Sequence, residues 1–426
     1  MRQSKVITAV ILGNALEWYD YVLYATFASV ISKVFFADQA QNFSLLATFA
    51  IFSVGFISRP IGAFIFGYIG DEYGRKTALF SSIIMMAIPA TIIGLIPSYQ
   101  TIGSVAPVGL LLCRMLQGIS VGGEFSASSV YLLEISNKKH RGLYSSIIIV
   151  SLALGSLLGS LAGFVTESIF TEEEILNFWW RAPFLLSFVI GAFGLYMRKN
   201  LSESEEFLKI HKHGARKDRS KASPIKQIYQ NYKTQFLICC LVYLSITISF
   251  YTLSVFSKTL LVEFLGYNIK FASMLGILSM VCMMFGSLCS GVLSLKISPR
   301  TTMIVCILIS IALIYPAFVL YDSRIPECAI IASMMSGLII GISSAQFAAI
   351  FFELFPAQVR STGMSFASNI PAMLFGGTTP MILVYIVMRT DNIYYIALYC
   401  GVTFVISILA ILSSMFCFGK RLRYQS

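Results

Sequence analysis

The hydrophobic positions of this chain neither alternate nor keep to one face of a short helix; they run on. Apolar stretches of about 20 residues, each long enough to cross a bilayer core, recur from end to end. Twelve can be drawn, at about 6–35, 43–70, 77–97, 105–134, 143–168, 181–198, 235–262, 271–295, 301–320, 328–355, 361–388 and 393–418. Lipid offers no partner to a loose backbone N–H or C=O, so runs of this length are expected to be helices. One longer polar interval, 199–234, mixes Ser, Glu, Lys, Arg and His around Pro224. It divides the spans six and six. The expected architecture is an all-α integral membrane protein of twelve transmembrane helices in two six-helix bundles, residues 1–198 and 235–426, joined by a linker at 199–234.

Composition strengthens this picture. The chain has 426 residues, 57% hydrophobic and 12% charged, where a soluble domain is nearer about 25% charged. A net charge of +11 would suit a nucleic-acid partner, but no basic face interleaved with aromatics occurs. The Lys and Arg residues crowd instead into alternate loops. Only Lys33, Lys270, Arg324 and Arg389 fall in the loops of the other set. By the positive-inside bias both termini and the linker are expected in the cytoplasm. The first apolar run carries Glu17 and Asp20, unlike a signal-peptide core, and is expected to remain as a span. The nine cysteines are scattered, with no CxxC, and His211-x-His213 lies in the polar linker, so no metal or cofactor is expected. No nucleophile–base spacing marks an enzyme.

Charges inside apolar spans are costly and point to function. The first span reads Gly13-Asn14-Ala15-Leu16-Glu17-Trp18-Tyr19-Asp20-Tyr21-Val22-Leu23-Tyr24. Entering near Val6, Glu17 and Asp20 lie roughly 16–21 Å along the helix, near mid-membrane. Positions 17, 20, 21 and 24 share a face that lipid would reject. Arg59 lies in the second span, and the fourth reads Arg114-Met-Leu-Gln117-Gly118-Ile-Ser-Val-Gly122-Gly123-Glu124. Matching depths predict two tiers: Arg114 with Asp20 or Glu17, and Arg59 with Glu124. Burial favours a protonated carboxyl and a neighbouring arginine the ionised one, so an acid whose arginine comes and goes can load and release a proton. Arginine is also the better captor of a substrate carboxylate. Glu17, Asp20, Arg114 and Glu124 are therefore the candidate proton-coupling groups, and Tyr21, Tyr24, Arg59, Arg114, Gln117 and Asn369 the candidate substrate contacts. Glycines 155, 159 and 163 are expected to allow close helix packing, and Trp179-Trp180 to anchor the sixth span at the interface.

Between the second and third spans stands Gly67-xxx-Asp71-xx-Gly74-Arg75-Lys76. Its spacing differs from that of a phosphate-binding GxxxxGK[ST] loop, and no strand precedes it. It resembles the signature turn of the major facilitator superfamily. Arg59-Pro60-Ile61-Gly62-Ala63, the Gly13–Tyr24 run and Gly122-Gly123-Glu124 resemble the metabolite:proton symporters of that superfamily, which include proline/betaine, 2-oxoglutarate and shikimate carriers. The second half echoes the first: Glu134 and Arg141 recur as Glu353 and Arg360, and the turn recurs at Gly291–Arg300 with Leu295 for the acid and Ser298 for the glycine. The resemblance implies alternating access, with symport of a small organic solute, a proline/betaine-type zwitterion or a small carboxylate, and protons. It implies a gating role for Gly67, Asp71, Gly74, Arg75, Lys76, Glu134, Arg141, Glu353 and Arg360, a bacterial inner-membrane location and a functional monomer. The osmosensory carriers of that group have a long C-terminal extension; with Ser426 just past the last span, osmosensing is not expected. An exporter or a non-transporting nutrient receptor would share the fold and stand as alternatives.

Overall fold

A computed structural model describes residues 2–36, 48, 51, 54–199, 203, 207, 208 and 224–423. Among them there is no strand. Nine helices are long and apolar enough to cross a membrane, and a bent pair, Glu172–Trp179 with Arg181–Lys199, makes a tenth. These are the expected third to twelfth spans. The first is Arg2–Thr26 continued by Ala28–Phe35; its two buried acids lower its apolarity. The second is described in part and ends as Arg59–Glu72, with Pro60 in its first turn, where a missing N–H costs nothing. The 43–58 stretch and the linker, including His211 and His213, lie largely outside the described residues. The protein is a multi-pass, all-α membrane protein.

The chain forms two compact units, residues 1–135 with 151–217, and residues 136–150 with 218–426. Small residues set the spacing in the first. A Cβ on Gly62 would strike the Ile119 carbonyl, one on Gly118 the Gly55 carbonyl, and one on Gly122 the Arg59 carbonyl. The second and fourth spans therefore touch backbone to backbone. Glycines 155, 159 and 163 pack against Ala15, Tyr19 and Thr26 of the first span, as their spacing predicted. Beside this contact Tyr24, Phe27, Phe35, Trp180 and Phe184 form a buried aromatic core. Trp180 is thus fully enclosed, edge-on to Phe35 at 5.8 Å, whereas Trp179 stacks on Phe170 and stays part-exposed. The expected interfacial pair is split because adjacent helical residues point about 100° apart.

In the second unit the tenth and eleventh spans are interrupted. The tenth span, Pro326–Ser344 and Phe347–Leu354, breaks at Ala345-Gln346. Ser145 bridges the break: its hydroxyl donates to the Ala345 carbonyl (2.6 Å) and accepts from the Ala349 N–H (3.3 Å). Gln346 donates to Ser290 at 3.1 Å. The eleventh span loosens into a π-helical turn at Ala372–Gly376, directly after Pro371, whose ring removes an N–H from the ladder.

Candidate functional site

The first unit gathers most of the polar groups singled out above. Glu17, Asp20, Arg59, Arg114, Gln117 and Glu124 are all at least nine-tenths buried. Arg114 lies over the Tyr24 ring at 4.1 Å and near Tyr21 at 5.5 Å, and donates to Gln117 Oε1 at 2.9 Å. Arg59 lies over Phe56 at 4.6 Å and Tyr21 at 5.3 Å. Tyr21 and Tyr24, each four positions after an acid (Glu17 and Asp20) on the first helix, thus carry the two guanidiniums on their faces, an arrangement worth more when desolvated. Asp20 accepts from Ser187 of the sixth span and interacts with the Arg114 charge. Both Glu17 carboxylate oxygens, and the Gln117 amide nitrogen, are buried without a hydrogen-bond partner among the described residues.

One expected pairing is replaced. Glu124 does not use Arg59; it is gripped by Arg198, whose Nη2 binds Oε1 and whose Nη1 reaches Oε2 at 3.1 Å, and it accepts from Ser82. The reason lies in helix rotation. Gly122 faces the second span, against the Arg59 carbonyl. Two residues on, the helix has turned by about 200°, so Glu124 faces Ser82 of the third span and Arg198 of the sixth. The direction of the Glu124 side chain differs from the expected one. The expected Arg114 pairing with Asp20 or Glu17 takes a looser form, through charge at longer range rather than contact.

The turn after the second span is built around Arg75. Its guanidinium donates to Asp71 Oδ1 at 3.0 Å, to Glu134 Oε1 at 3.2 Å and to the Gly70 carbonyl. The side chains of Arg75, Asp71 and Glu134 are at most 1% exposed. Gly74 holds φ at 107°, a backbone region that favours glycine. The N–H groups of Arg75 and Lys76 open the third span and meet the Glu203 carboxylate at 3.0 and 3.2 Å. Lys76 donates to the Lys199 carbonyl at 2.9 Å. Gly67 is buried one turn before Asp71.

The second unit holds the rest. Arg300 pairs with Glu353 at 3.3 Å. Arg360 and Arg141 both lie over the Phe352 ring, at 3.8 and 4.7 Å, and Arg360 donates to the Phe355 carbonyl at 3.2 Å. Asn369 is buried on the eleventh span and donates to the Ser365 carbonyl at 2.8 Å.

Four participants escaped the sequence reading: Arg198, Ser82, Ser187 and Glu203. Arg198 stands at the very end of the sixth apolar run and Glu203 in the polar linker, where neither is marked as buried. The available signal was arithmetic: two acids of the first span and Glu124 outnumber Arg59 and Arg114, so a third buried arginine was owed.

Known proteins resemble this chain along most of its length. The Major Facilitator Superfamily profile matches residues 10–375. A proline/betaine transporter of Salmonella typhimurium is 32% identical over 415 residues, covering 95% of this chain and 82% of its own. A glycine betaine/proline/ectoine/pipecolic acid transporter of Dickeya dadantii is 32% identical over 413 residues, covering 96% and 82%. Among solved structures, the proton:xylose symporter XylE superposes with a TM-score of 0.78 at 14% identity over 98% of this chain and 96% of that one; this likeness is one of fold. A chain with these motifs, these helices and these relatives is a membrane transporter and belongs to the Major Facilitator Superfamily.

Proposed function

We propose that the protein is a secondary active importer of a small zwitterion of the proline/betaine class, driven by protons through alternating access in a bacterial inner membrane. What carries the reading is the first-unit cluster: two arginines seated on tyrosine faces beside two buried carboxylates. A zwitterion presents a carboxylate and a cationic amine. Arg59, Arg114 and the Gln117 amide suit the first; the carboxylates of Glu17 and Asp20 offer charge to the second, and Tyr21 and Tyr24 line the same site. Asn369 supplies a further polar contact on the eleventh span. Glu17 and Asp20 are the proton carriers, with Arg114 and Glu124 as their charge partners. The repeated motifs support two six-helix halves, 1–198 and 235–426, joined through 199–234, and the Lys/Arg bias supports cytoplasmic termini. We read the working unit as a monomer with solute, protons and lipid as its partners and no nucleic acid. The gating role falls to Asp71, Arg75 and Glu134 with Gly67, Gly74 and Lys76, and to Arg141, Glu353 and Arg360.

Proteoliposomes given labelled proline, glycine betaine and organic acids test this. An inward proton gradient is expected to drive accumulation of a zwitterion. Asp20→Asn or Glu17→Gln is expected to abolish the gradient-driven part while leaving solute exchange partly intact. Accumulation indifferent to the gradient, or undiminished in both variants, refutes the reading.

A further inference from the structure

Arg198 is fully buried in the last turn of the sixth span. Its guanidinium has three anchors: Glu124 Oε1 and Oε2, and the Leu79 carbonyl. It also lies against Gly13, where any Cβ would collide with it. Gly13 and Glu17 are one helical turn apart on the same face of the first span. The glycine of that motif therefore makes room for an arginine contributed from 185 residues away, directly beside Glu17. The charges acting on Glu17 come from Glu124, Arg59 and Arg198, on the fourth, second and sixth spans. Two acids and two arginines share this pocket, and they are not equivalent. Glu124 is held on both oxygens by Arg198 and receives the Ser82 hydroxyl. Glu17 has no hydrogen bond to either oxygen among the described residues.

We propose that Arg198 is a positioning residue for proton coupling: it occupies both oxygens of Glu124, so that of the two glutamates in this pocket Glu17 is the one left open to the transported proton. Charge-assisted hydrogen bonds stabilise the ionised form of a carboxylate and so oppose its protonation; a buried carboxylate with no donor has no such support. Without Arg198 the two acids compete for one proton, and loading no longer tracks the solute. The inference rests on the proton-coupled reading above.

The test uses the full-length protein in proteoliposomes with labelled proline and glycine betaine. Arg198→Gln is expected to lower gradient-driven uptake about tenfold, while solute exchange stays within about threefold of wild type. Arg198→Lys keeps much of the coupling. Arg198→Gln/Glu124→Gln, which removes the competitor, recovers gradient-driven uptake. Independently of any solute, the infrared band of protonated carboxyl groups is expected to grow in Arg198→Gln and not in the double variant. Gradient-driven uptake unchanged in Arg198→Gln overturns the inference. So does an equal loss of exchange with no rescue and no new carboxyl band, which marks a structural role. A wild-type protein indifferent to the gradient refutes the importer reading instead, and the infrared comparison still decides the role of Arg198.

Discussion

The turns at Gly67–Lys76 and Gly291–Arg300 share a spacing, and the molecule supports them by different means. The first is held from a distance. Arg75 takes one acid from its own turn and a second, Glu134, from the far end of the fourth span, and the N–H groups that follow are met by Glu203. The second is held locally. Leu295 stands where the acid would be, Arg300 pairs with Glu353 alone among the described residues, and Ser298 caps its own helix by accepting from the Thr301 N–H at 3.2 Å. Pro299 then opens the helix at its first position. The first turn needs glycine at φ 107°; at the matching place in the second, Ser298 sits at φ −63°. A turn fastened to remote residues can report on their positions. A self-capped turn can hold its shape while its surroundings change.

This contrast makes its largest prediction at Arg75. Breaking a buried ion pair leaves a charge without compensation, typically about 3–5 kcal/mol. Because Arg75 keeps one acid when the other is neutralised, Asp71→Asn or Glu134→Gln is expected to cost about 2–3 kcal/mol, read as a lower thermal midpoint in detergent. In transport, Asp71→Asn is expected to cut the maximal rate about tenfold while the apparent affinity stays within about twofold. A pure loss of affinity would remove the gating role from this turn.

At the second turn the same change should do less. The Glu353 side chain is 26% exposed and that of Arg300 8%, so water takes over part of what the pair supplies. Glu353→Gln is expected to cost about 1 kcal/mol in the same thermal assay, allowing for that screening. Equal losses at Glu134 and Glu353 would mean that the two turns are fastened alike, and the distinction drawn here would be lost.

The two turns also mark the limit of what the sequence discloses. The spans were legible because a bilayer permits only long apolar helices, and the bounds of the third, fourth and sixth fall within about two residues of the helices found, the usual uncertainty of helix ends. The glycine stripe at 155, 159 and 163 was legible because its spacing already defines a helix face. The partner of Glu124 was not. Depth along a helix follows from counting residues, but the direction of a side chain toward one neighbour or another depends on how the bundle is rotated, and no local pattern encodes that. Arg198 was hidden for a second reason: at the end of an apolar run, a basic residue reads as the ordinary positive flank of a span. Ser298 shows the converse. An N-cap serine followed by proline is a local signal that the sequence carries in full.

The smallest effects separate the two modes of capping. Removing an N-cap hydroxyl typically costs about 1 kcal/mol, and a carboxylate at a helix N-terminus contributes about 0.3–1 kcal/mol. Ser298→Ala is therefore expected to speed hydrogen exchange at the Thr301 amide and to leave the Arg75 and Lys76 amides as they were. Glu203→Ala is expected to do the reverse, speeding exchange at Arg75 and Lys76 and leaving the Thr301 amide as it was. Because Glu203 is brought to that helix by the chain following the sixth span, its removal should also loosen the Lys76 contact with the Lys199 carbonyl, now 2.9 Å. Ser298 has no such remote dependant, so its loss should stay within one turn. Should both substitutions release only their own first-turn amides, with the Lys199 region unchanged, the first turn would be as self-contained as the second, and its proposed sensitivity to remote residues would reduce to the ion pairs of Arg75.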